Sequence, residues 1–216
     1  MSYKMNEMNK ITKFSDDKKI WLCSDTHYGH ANICRGTTSW PDGSKTRNFD
    51  TIEQMNDQIV NNINNVVGQD DILIHAGDFS FGGFEKIIEF RNRIVCQNVH
   101  LILGNHDHHI EKNKEDVQKL FSSVSETMIL ERKFNEKNRV FFISHLPVAS
   151  WPNMGKGVFH LHGHTHLPKH LRVSDGRYMD IGIDGNDLKP MLLDDVFGIL
   201  KNKQIKNLVL PEDHHI

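Results

Sequence analysis

Five short segments of the sequence carry the residue types that bind metal ions in proteins. Each contains aspartate, asparagine or histidine, and three of them also contain a glycine that frees the backbone to turn. Any one segment alone is more often an ordinary turn, but a shared purpose explains the set better than five coincidences do. The segments are Asp25-Thr26-His27, Gly77-Asp78, Gly104-Asn105-His106-Asp107, Ser144-His145 and Gly163-His164-Thr165-His166.

The mixture of oxygen and imidazole groups indicates which chemistry the set would serve. Because no cysteine is among these residues, they suit manganese, iron, zinc or cobalt better than a thiolate zinc site or an all-oxygen calcium site. Two ions are needed to use so many ligands. A pair of ions roughly 3.5–4 Å apart clamps both the attacking and the leaving oxygen during phosphoryl displacement. Phosphoryl displacement is therefore chemistry that the set suits.

Strands must position these segments, because each segment ends or follows a short apolar run. The runs at 18–24, 71–76 and 99–103 are predicted as buried strands, and helices are predicted between them at 51–67 and 84–94. An alternation of strands and helices indicates parallel strands, whose carboxyl ends face one crevice. The ligand residues are therefore expected to meet there.

The second half of the chain has a different pattern. After a predicted helical segment at 111–121, strands are predicted at 126–134, 139–144, 158–162, 178–183 and 196–201, joined by short turns. They would form a second sheet packed on the first. No low-complexity linker separates two domains, so the sequence predicts a polar N-terminal extension at 1–17 and a single α/β domain at 18–216.

Composition excludes several classes of protein. In a chain of 216 residues, 38% hydrophobic and 25% charged residues are typical of a globular protein and not of a disordered one. The net charge of -2 gives no basic excess for bulk binding of nucleic-acid backbone. Three cysteines without a CxxC motif fit a reducing compartment. A polar start and no apolar run long enough to cross a bilayer favour a cytoplasmic location.

The order of the five segments resembles that of a known family. DxH, GD, GNHD, H and GHxH, over nearly the whole chain from Ile20 to Leu200, resemble the calcineurin-like metallophosphoesterases. The stretches SDTHYGHANI and DIGIDGNDLKP are more similar to the compact, stand-alone bacterial and phage members than to the larger protein phosphatases. The resemblance implies a four-layer sandwich of two stacked mixed β-sheets flanked by α-helices. It also implies two divalent metal ions, manganese first, with iron, zinc, nickel or cobalt as alternatives.

The resemblance also implies a role for each residue of the set. His106 is expected to protonate the leaving alkoxide or to bind a phosphate oxygen, with Asp107 holding its tautomer. A hydroxide that bridges the two metals is expected to be the nucleophile. The metals are expected to share Asp78; the first is also held by Asp25, His27 and His166, and the second by Asn105, His145 and His164.

Substrate contacts are expected in the loops over the metals. The protein phosphatases of this superfamily follow the shared aspartate with an Asp-Arg pair, whereas this chain has Phe79-Ser80-Phe81-Gly82, which argues against a phosphoprotein substrate. A tryptophan beside an arginine can stack a base and pair a phosphate, but a cover over the core beneath their loops is the slightly favoured interpretation of Trp40 and Trp151. The substrate-binding candidates are His30, Asn32, Arg35 and Arg47, with Lys156 as a further loop residue.

The leading interpretation is a phosphodiesterase that acts on a nucleotide-like or small phosphodiester. His106 supplies an acid for the leaving group, and the sequence shows no cage of arginines for a phosphate dianion. The alternatives are a phosphomonoesterase, a nuclease of the same superfamily acting on short nucleic acid, and a non-catalytic binding module on this fold, which the complete ligand set disfavours. No membrane and no obligate protein partner is expected, and the oligomeric state is left open.

Overall fold

The computed structural model describes residues 10–34, 46–112 and 115–206, and over these ranges the chain forms two five-stranded sheets with helices. The strands are β1 Ile11–Lys13, β2 Ile20–Cys23, β3 Ile72–His75, β4 Asn98–Ile102, β5 Ser123–Ser125, β6 Thr127–Phe134, β7 Lys137–Ser144, β8 Phe159–His162, β9 Tyr178–Asp180 and β10 Met191–Leu192. The α-helices are α1 Ile52–Val66, α2 Phe84–Arg93, α3 His108–Lys112 and α4 Leu193–Leu200. Short 3₁₀ turns occupy Ala31–Ile33, Gln118–Leu120, Met154–Lys156 and Ile183–Asn186.

Both sheets are mixed. The first has the strand order β10-β2-β3-β4-β5, in which β2 to β5 are parallel and β10 is antiparallel to β2. The second has the order β1-β6-β7-β8-β9, in which β6 and β7 form an antiparallel hairpin and β7, β8 and β9 are parallel. Since neighbouring parallel strands end at the same edge, the segments after β2, β3 and β4 leave the first sheet side by side.

Helices α1 and α2 cover the outer face of the first sheet. Helix α1 begins where the hydroxyl of Thr51 accepts a hydrogen bond from the backbone N–H of Gln54, which caps the helix. Its apolar residues recur at steps of four, so that Met55, Ile59 and Ile63 are fully buried against the sheet.

A second apolar layer lies between the two sheets. Alternate residues of a strand face opposite sides, so Ile20 and Leu22 of β2 point toward the other sheet, where they join Phe141, Phe159 and Leu161. All five are buried to within 1% of full burial. Burying one large apolar side chain is worth about 1.5–3 kcal/mol, so this layer holds the sheets together. The prediction of two stacked mixed sheets flanked by helices is confirmed.

Two predicted elements were wrong. Residues 196–201, predicted as a strand, lie in and just after helix α4, where Leu193, Val196 and Leu200 are buried at helical spacing. The predicted helix at 111–121 is replaced by the short α3 and the turn Gln118–Leu120. A helix face needs three to four apolar side chains in two turns, and the described part of that segment buries two, Val117 and Phe121.

Three short strands were not predicted, because β1, β5 and β10 have two or three residues each and show no period. Of the polar stretch 1–17, residues 10–17 are described, and β1 pairs in parallel with β6 at the edge of the second sheet. In the described ranges, no helix has the length and apolar character that a bilayer crossing requires.

Candidate metal centre

The first cluster of metal-ligand side chains consists of Asp25, His27 and His166. One ligand atom of each lies within 4.8 Å of those of the other two. Nε2 of His166 is 3.3 Å from Nε2 of His27 and 3.7 Å from Oδ1 of Asp25. Asp25 and His27 follow β2 of the first sheet, whereas His166 follows β8 of the second sheet. The cluster therefore draws its side chains from both sheets.

The second cluster consists of Asp78, His145 and His164, again with one ligand atom of each within 4.8 Å of the others. The amide oxygen of Asn105 lies 2.9 Å from Nε2 of His145 and 2.9 Å from Nδ1 of His164. Nδ1 of His145 is 2.9 Å from the carbonyl oxygen of Ala76. A proton on that nitrogen would be donated to the carbonyl, which leaves Nε2 free to bind a cation.

Asp78 lies between the two clusters. Its Oδ2 is 3.4 Å from Nε2 of His27 in the first cluster and 3.4 Å from Nε2 of His145 in the second. The backbone N–H of His106 donates a hydrogen bond to its other oxygen, Oδ1. Asp78 is thus within reach of both clusters, and the structure brings all seven predicted metal ligands together.

Left-handed backbone conformations aim these side chains. In a regular strand, Asp25 and His27 would lie on the same face. The chain turns here instead, so the local backbone conformation decides where each side chain points. Positive φ is uncommon outside glycine but several-fold enriched for Asp, Asn and His, which are also metal ligands. Five of the seven residues adopt it, with φ between 46° and 68°; they are Asp25, His27, Asp78, His164 and His166.

The carboxylate of Asp107 has other hydrogen-bond partners than the imidazole of His106, which the sequence predicts. It accepts hydrogen bonds from the backbone N–H groups of Asp78 and Gly104, each at 2.8 Å, and of Phe79 at 2.9 Å. Burial raises the pKa of this carboxyl to about 6. Because three N–H groups of two turns converge on it, Asp107 ties those turns together and does not hold the tautomer of His106. The predicted role of Asp107 is corrected accordingly.

A buried carboxylate that the sequence analysis missed supports the first cluster. Oδ2 of Asp184 lies 2.7 Å from Nδ1 of His166, so it fixes the ring and leaves Nε2 directed at Asp25 and His27. Burial alone would raise the pKa of Asp184, but the charge of Arg47 and the hydrogen bond from His166 outweigh it and hold the pKa far below its usual range.

Arg47, predicted to bind substrate, is instead part of this support. Its side chain is 1% exposed, and its Nε and one terminal nitrogen pair with both oxygens of Asp184 at 2.8 and 2.9 Å. The remaining donors bond to the carbonyl oxygens of Asp25 and Thr26 and to the sulfur of Met55. All five N–H donors of the guanidinium are therefore used inside the protein. The prediction was wrong because Asp184, distant in sequence, supplies the matching carboxylate.

Asp180 is a second aspartate that the sequence analysis missed. Its carboxylate accepts hydrogen bonds from the hydroxyl of Thr165 and the backbone N–H of Leu167, on either side of the candidate ligand His166. Asp180 and Asp184 both lie in the stretch DIGIDGNDLKP, which begins at the last residue of β9. Two aspartates beside glycines at the end of a strand were the available signal, but nothing in the sequence shows which turn they would face.

The other predicted residues differ in where they lie. The imidazoles of His30 and His106 have their centroids 5.4 Å from that of His27, so both border the first cluster. Asn32 is exposed on the 3₁₀ turn that follows. Trp151 is buried and donates a hydrogen bond to the carbonyl of Val158. Of its two predicted roles, base stacking and a cover over the core, this position fits the cover. Arg35 and Trp40 lie outside the described residues, and Lys156 is exposed.

The pKa values of the clustered groups show how strongly they interact. Burial raises the pKa of Asp25 to about 7 and lowers that of His27 to about 2. Burial opposes the charged forms of His145 and Asp78 too, but their hydrogen bond and mutual attraction outweigh it, so the pKa of His145 rises to about 9 and that of Asp78 falls well below its usual value.

The seven residues fit two divalent cations. They offer two carboxylates, one amide oxygen and four imidazoles, and the two clusters share Asp78. Oxygen and nitrogen donors without thiolate suit the divalent ions of manganese, iron, cobalt, nickel and zinc.

Comparison with known proteins agrees with this geometry. The family model described as calcineurin-like phosphoesterase matches residues 18–210. The chain belongs to this family. Calcineurin-like phosphoesterases are metal-dependent hydrolases of phosphoesters, so the seven clustered side chains lie in a protein whose family requires such a site.

Individual relatives of this calcineurin-like phosphoesterase are distant. An uncharacterised protein of Methanocaldococcus jannaschii is 26% identical over 200 residues, which are 87% of this chain and 94% of that one. A crystal structure of a protein of unknown function from Aquifex aeolicus has a TM-score of 0.59 at 22% identity, and the match covers 85% of this chain and all of that one. A structure titled as a novel archaeal phosphodiesterase has a TM-score of 0.39 at 23% identity, over 76% and 83% of the two chains.

Proposed function

We propose that this protein is a phosphodiesterase that binds two divalent cations, manganese first among them, and hydrolyses a nucleotide-like or small phosphodiester. The observation that carries the proposal is the pair of clusters joined by Asp78, which is within reach of both. The imidazole of His106 lies at their border and has no hydrogen-bond partner in the described ranges. Each feature has a distinct task in phosphoester hydrolysis.

The chain itself supplies the positions of the cations and a proton donor. Two cations held by the seven residues would activate a water molecule at neutral pH and stabilise negative charge on the phosphoryl oxygens. Asp184 keeps Nε2 of His166 directed at the first cluster, and Ala76 does the same for His145. His106 is partly exposed beside the cluster, where its imidazole can donate a proton to the oxygen of the leaving group.

The preference for a diester is argued from Arg47. A monoester bears two negative charges near neutral pH, and a bidentate arginine is the common way to bind such a dianion. Arg47 lies against the first cluster, but all five of its donors are used by Asp184, Met55 and two backbone carbonyls. It has no donor left for a phosphate. A monoanionic diester, whose leaving group benefits from an acid, fits the site better.

The proposal is tested by hydrolysis of bis-p-nitrophenyl phosphate and p-nitrophenyl phosphate. The protein is stripped with a chelator and reloaded separately with manganese, iron, zinc, nickel, cobalt or magnesium. We expect metal-dependent hydrolysis with a higher kcat/KM for the diester. A higher kcat/KM for the monoester would replace the proposal with a phosphomonoesterase, and no turnover of either ester by protein with two bound ions would favour a binding module.

Substitution of the shared carboxylate tests the metal assignment. We expect Asp78→Asn to abolish hydrolysis and to weaken binding of both ions, because one carboxylate would serve each of them. Asp70→Asn is the matched control, since Asp70 is an exposed aspartate at the opposite end of the same strand, β3. Metal content by mass spectrometry and diester hydrolysis are measured for both variants. An active Asp78→Asn variant with two bound ions would contradict the assignment.

A further inference from the structure

Two stacked aromatic rings border the first cluster. The ring of Phe81 lies flat on the imidazole of His30, with centroids 4.0 Å and planes 11° apart. On one side, His30 is 5.4 Å from the ligand His27; on the other, the ring of Phe81 is 5.8 Å from His106 and edge-on to it. The pair therefore lies next to both a metal-ligand residue and the candidate proton donor.

Hydrogen bonds hold this pair in place without burying it. The backbone N–H of Phe81 donates to the carbonyl oxygen of Tyr28 at 2.7 Å, and Tyr28 and Ser80 form a parallel bridge. The two loops approach so closely that a Cβ on Gly29 would lie 2.6 Å from the carbonyl oxygen of Phe81. The residue Phe81 is nevertheless 38% exposed. It is an ordered aromatic surface open to solvent.

The hydrophobic core does not account for Phe81. Phe79, two residues earlier, is fully buried and packs against Phe90 and Phe121, so it fills the core beneath this loop. The two core clusters of the described chain do not include Phe81. Its ring instead stacks on the imidazole of His30 and makes an edge contact with that of His106 at the border of the site. An exposed aromatic side chain in that position suits a planar group of the substrate.

We propose that Phe81, supported by His30, stacks on the nucleobase of a nucleotide-type substrate whose phosphate lies at the two metal clusters. The inference rests on the proposed function and narrows its substrate class from phosphodiesters in general to those with a base near the reacting phosphate. Every base has a π-face, so stacking on Phe81 adds affinity without selecting strongly among bases. The edge-on imidazole of His106 closes the same side of the site.

Binding of two probes that differ only in the base tests the proposal without requiring turnover. AMP and ribose 5-phosphate share the sugar and the phosphate, and their affinities for the metal-loaded protein are measured by titration calorimetry. We expect the wild-type protein to bind AMP about 5- to 150-fold more tightly, the effect of stacking one base. Phe81→Leu should bring this ratio close to one, whereas Phe81→Trp should keep it.

The matched control is Phe84→Leu. Phe84 lies three residues further on, is 40% exposed and has no stacked ring among the described residues, so its loss should leave the affinity ratio unchanged. In Phe81→Trp, the added indole should be quenched by AMP and not by ribose 5-phosphate. This fluorescence change would report contact of the base with position 81 directly.

The outcomes separate this inference from the proposed function. Equal affinities of the wild-type protein for the two probes, or an unchanged ratio in Phe81→Leu, would overturn the stacking surface even if diesters are hydrolysed. A ratio that depends on Phe81 in a protein without diesterase activity would support the surface and overturn the reaction assigned to the site. Binding of neither probe to the metal-loaded protein would overturn the stacking surface, whereas the diester assay alone decides the reaction assigned to the site.

Discussion

At the scale of single residues, the imidazole of His106 differs from the seven clustered side chains, because we propose it as a proton donor and not as a metal ligand. Its backbone N–H bonds to Asp78, but its ring has no hydrogen-bond partner in the described ranges and lies 5.4 Å, centroid to centroid, from His27. This position outside both candidate metal clusters supports the proposed role of His106 as a proton donor to substrate. The seven clustered residues, by contrast, lie where they can hold cations.

We expect His106→Ala to retain metal content and to lose rate according to the leaving group. General-acid help matters most for a basic alkoxide, so a diester with an alkyl leaving group should slow by about 10²–10⁴, and a nitrophenyl diester should slow less. His108→Ala, two residues along on the exposed side of α3, is the control and should change neither. Equal losses for both kinds of diester would remove the proton-donor role. The measurement is kcat/KM for the two substrates.

Arg47 illustrates a residue whose importance is structural. Removing one partner of a buried ion pair leaves the other charge without compensation, so Arg47→Ala should lower the free energy of unfolding by about 3–5 kcal/mol. The control is Lys133→Ala, because Lys133 pairs with Glu136 at the surface, where an ion pair is worth about 1 kcal/mol or less. Urea denaturation of the metal-free proteins measures both changes. A similar, small loss in the two variants would contradict the structural role of Arg47.

At the scale of elements, the turns after the strands have strict requirements on backbone conformation and on side-chain size. The glycine before Asp78 has φ +98°, and a Cβ there would lie 2.6 Å from Nδ1 of His145 and 2.7 Å from the backbone nitrogen of Gly104. Gly77 therefore satisfies two requirements at once, a left-handed backbone and close contact with the neighbouring turn. Ligand geometry depends on turns that only glycine permits at this point.

We expect Gly77→Ala to weaken metal binding and diester hydrolysis strongly, because the added methyl group must displace His145 or the turn at Gly104. The positive φ adds about 1–3 kcal/mol of backbone strain. Gly198→Ala is the control: an added Cβ in α4 meets nothing within 4 Å, so it should raise the free energy of unfolding by about 1 kcal/mol. Metal titration and urea denaturation check both. Unaltered metal binding by Gly77→Ala would show that the turn can relax.

The elements that hold the ligands could be predicted because their signals are local. Buried strands β2, β3 and β4 are apolar runs that end in polar turns, and α1 shows both its cap and its period. The prediction of a strand at Val196 to Lys201 was wrong because helix α4 begins at Leu193, which completes the helical spacing. The role of Asp184 could not be predicted, since it depends on a contact with Arg47 across the fold.

At the scale of the whole molecule, each cluster takes side chains from both sheets. Asp25 and His27 leave the first sheet and meet His166 from the second; Asp78 leaves the first sheet and meets His145 and His164 from the second. A bound cation would therefore connect two halves of the protein that an apolar layer already joins. Metal binding and resistance to unfolding are expected to rise together.

We expect the melting temperature of the chelator-stripped protein to rise with the concentration of added manganese. A ligand that binds the native state and not the unfolded state stabilises it by about 2.7 kcal/mol at 100 times its Kd. The rise should be smaller in Asp78→Asn, which loses the shared carboxylate, and unchanged in Asp70→Asn. Calorimetric melting curves over a metal series measure the effect. A melting temperature that is independent of metal would contradict a native-state site that spans both sheets.

The apolar layer between the sheets has a consequence for the preference among ions. Its side chains, among them Phe141, Phe159 and Leu161, set how far the first sheet stands from the second. Since each cluster takes candidate ligands from both sheets, the distance between the sheets also sets the space between those ligands that is available to an ion. A difference in the volume of the core side chains between relatives would therefore change the preference for larger or smaller ions, even where every ligand residue is the same.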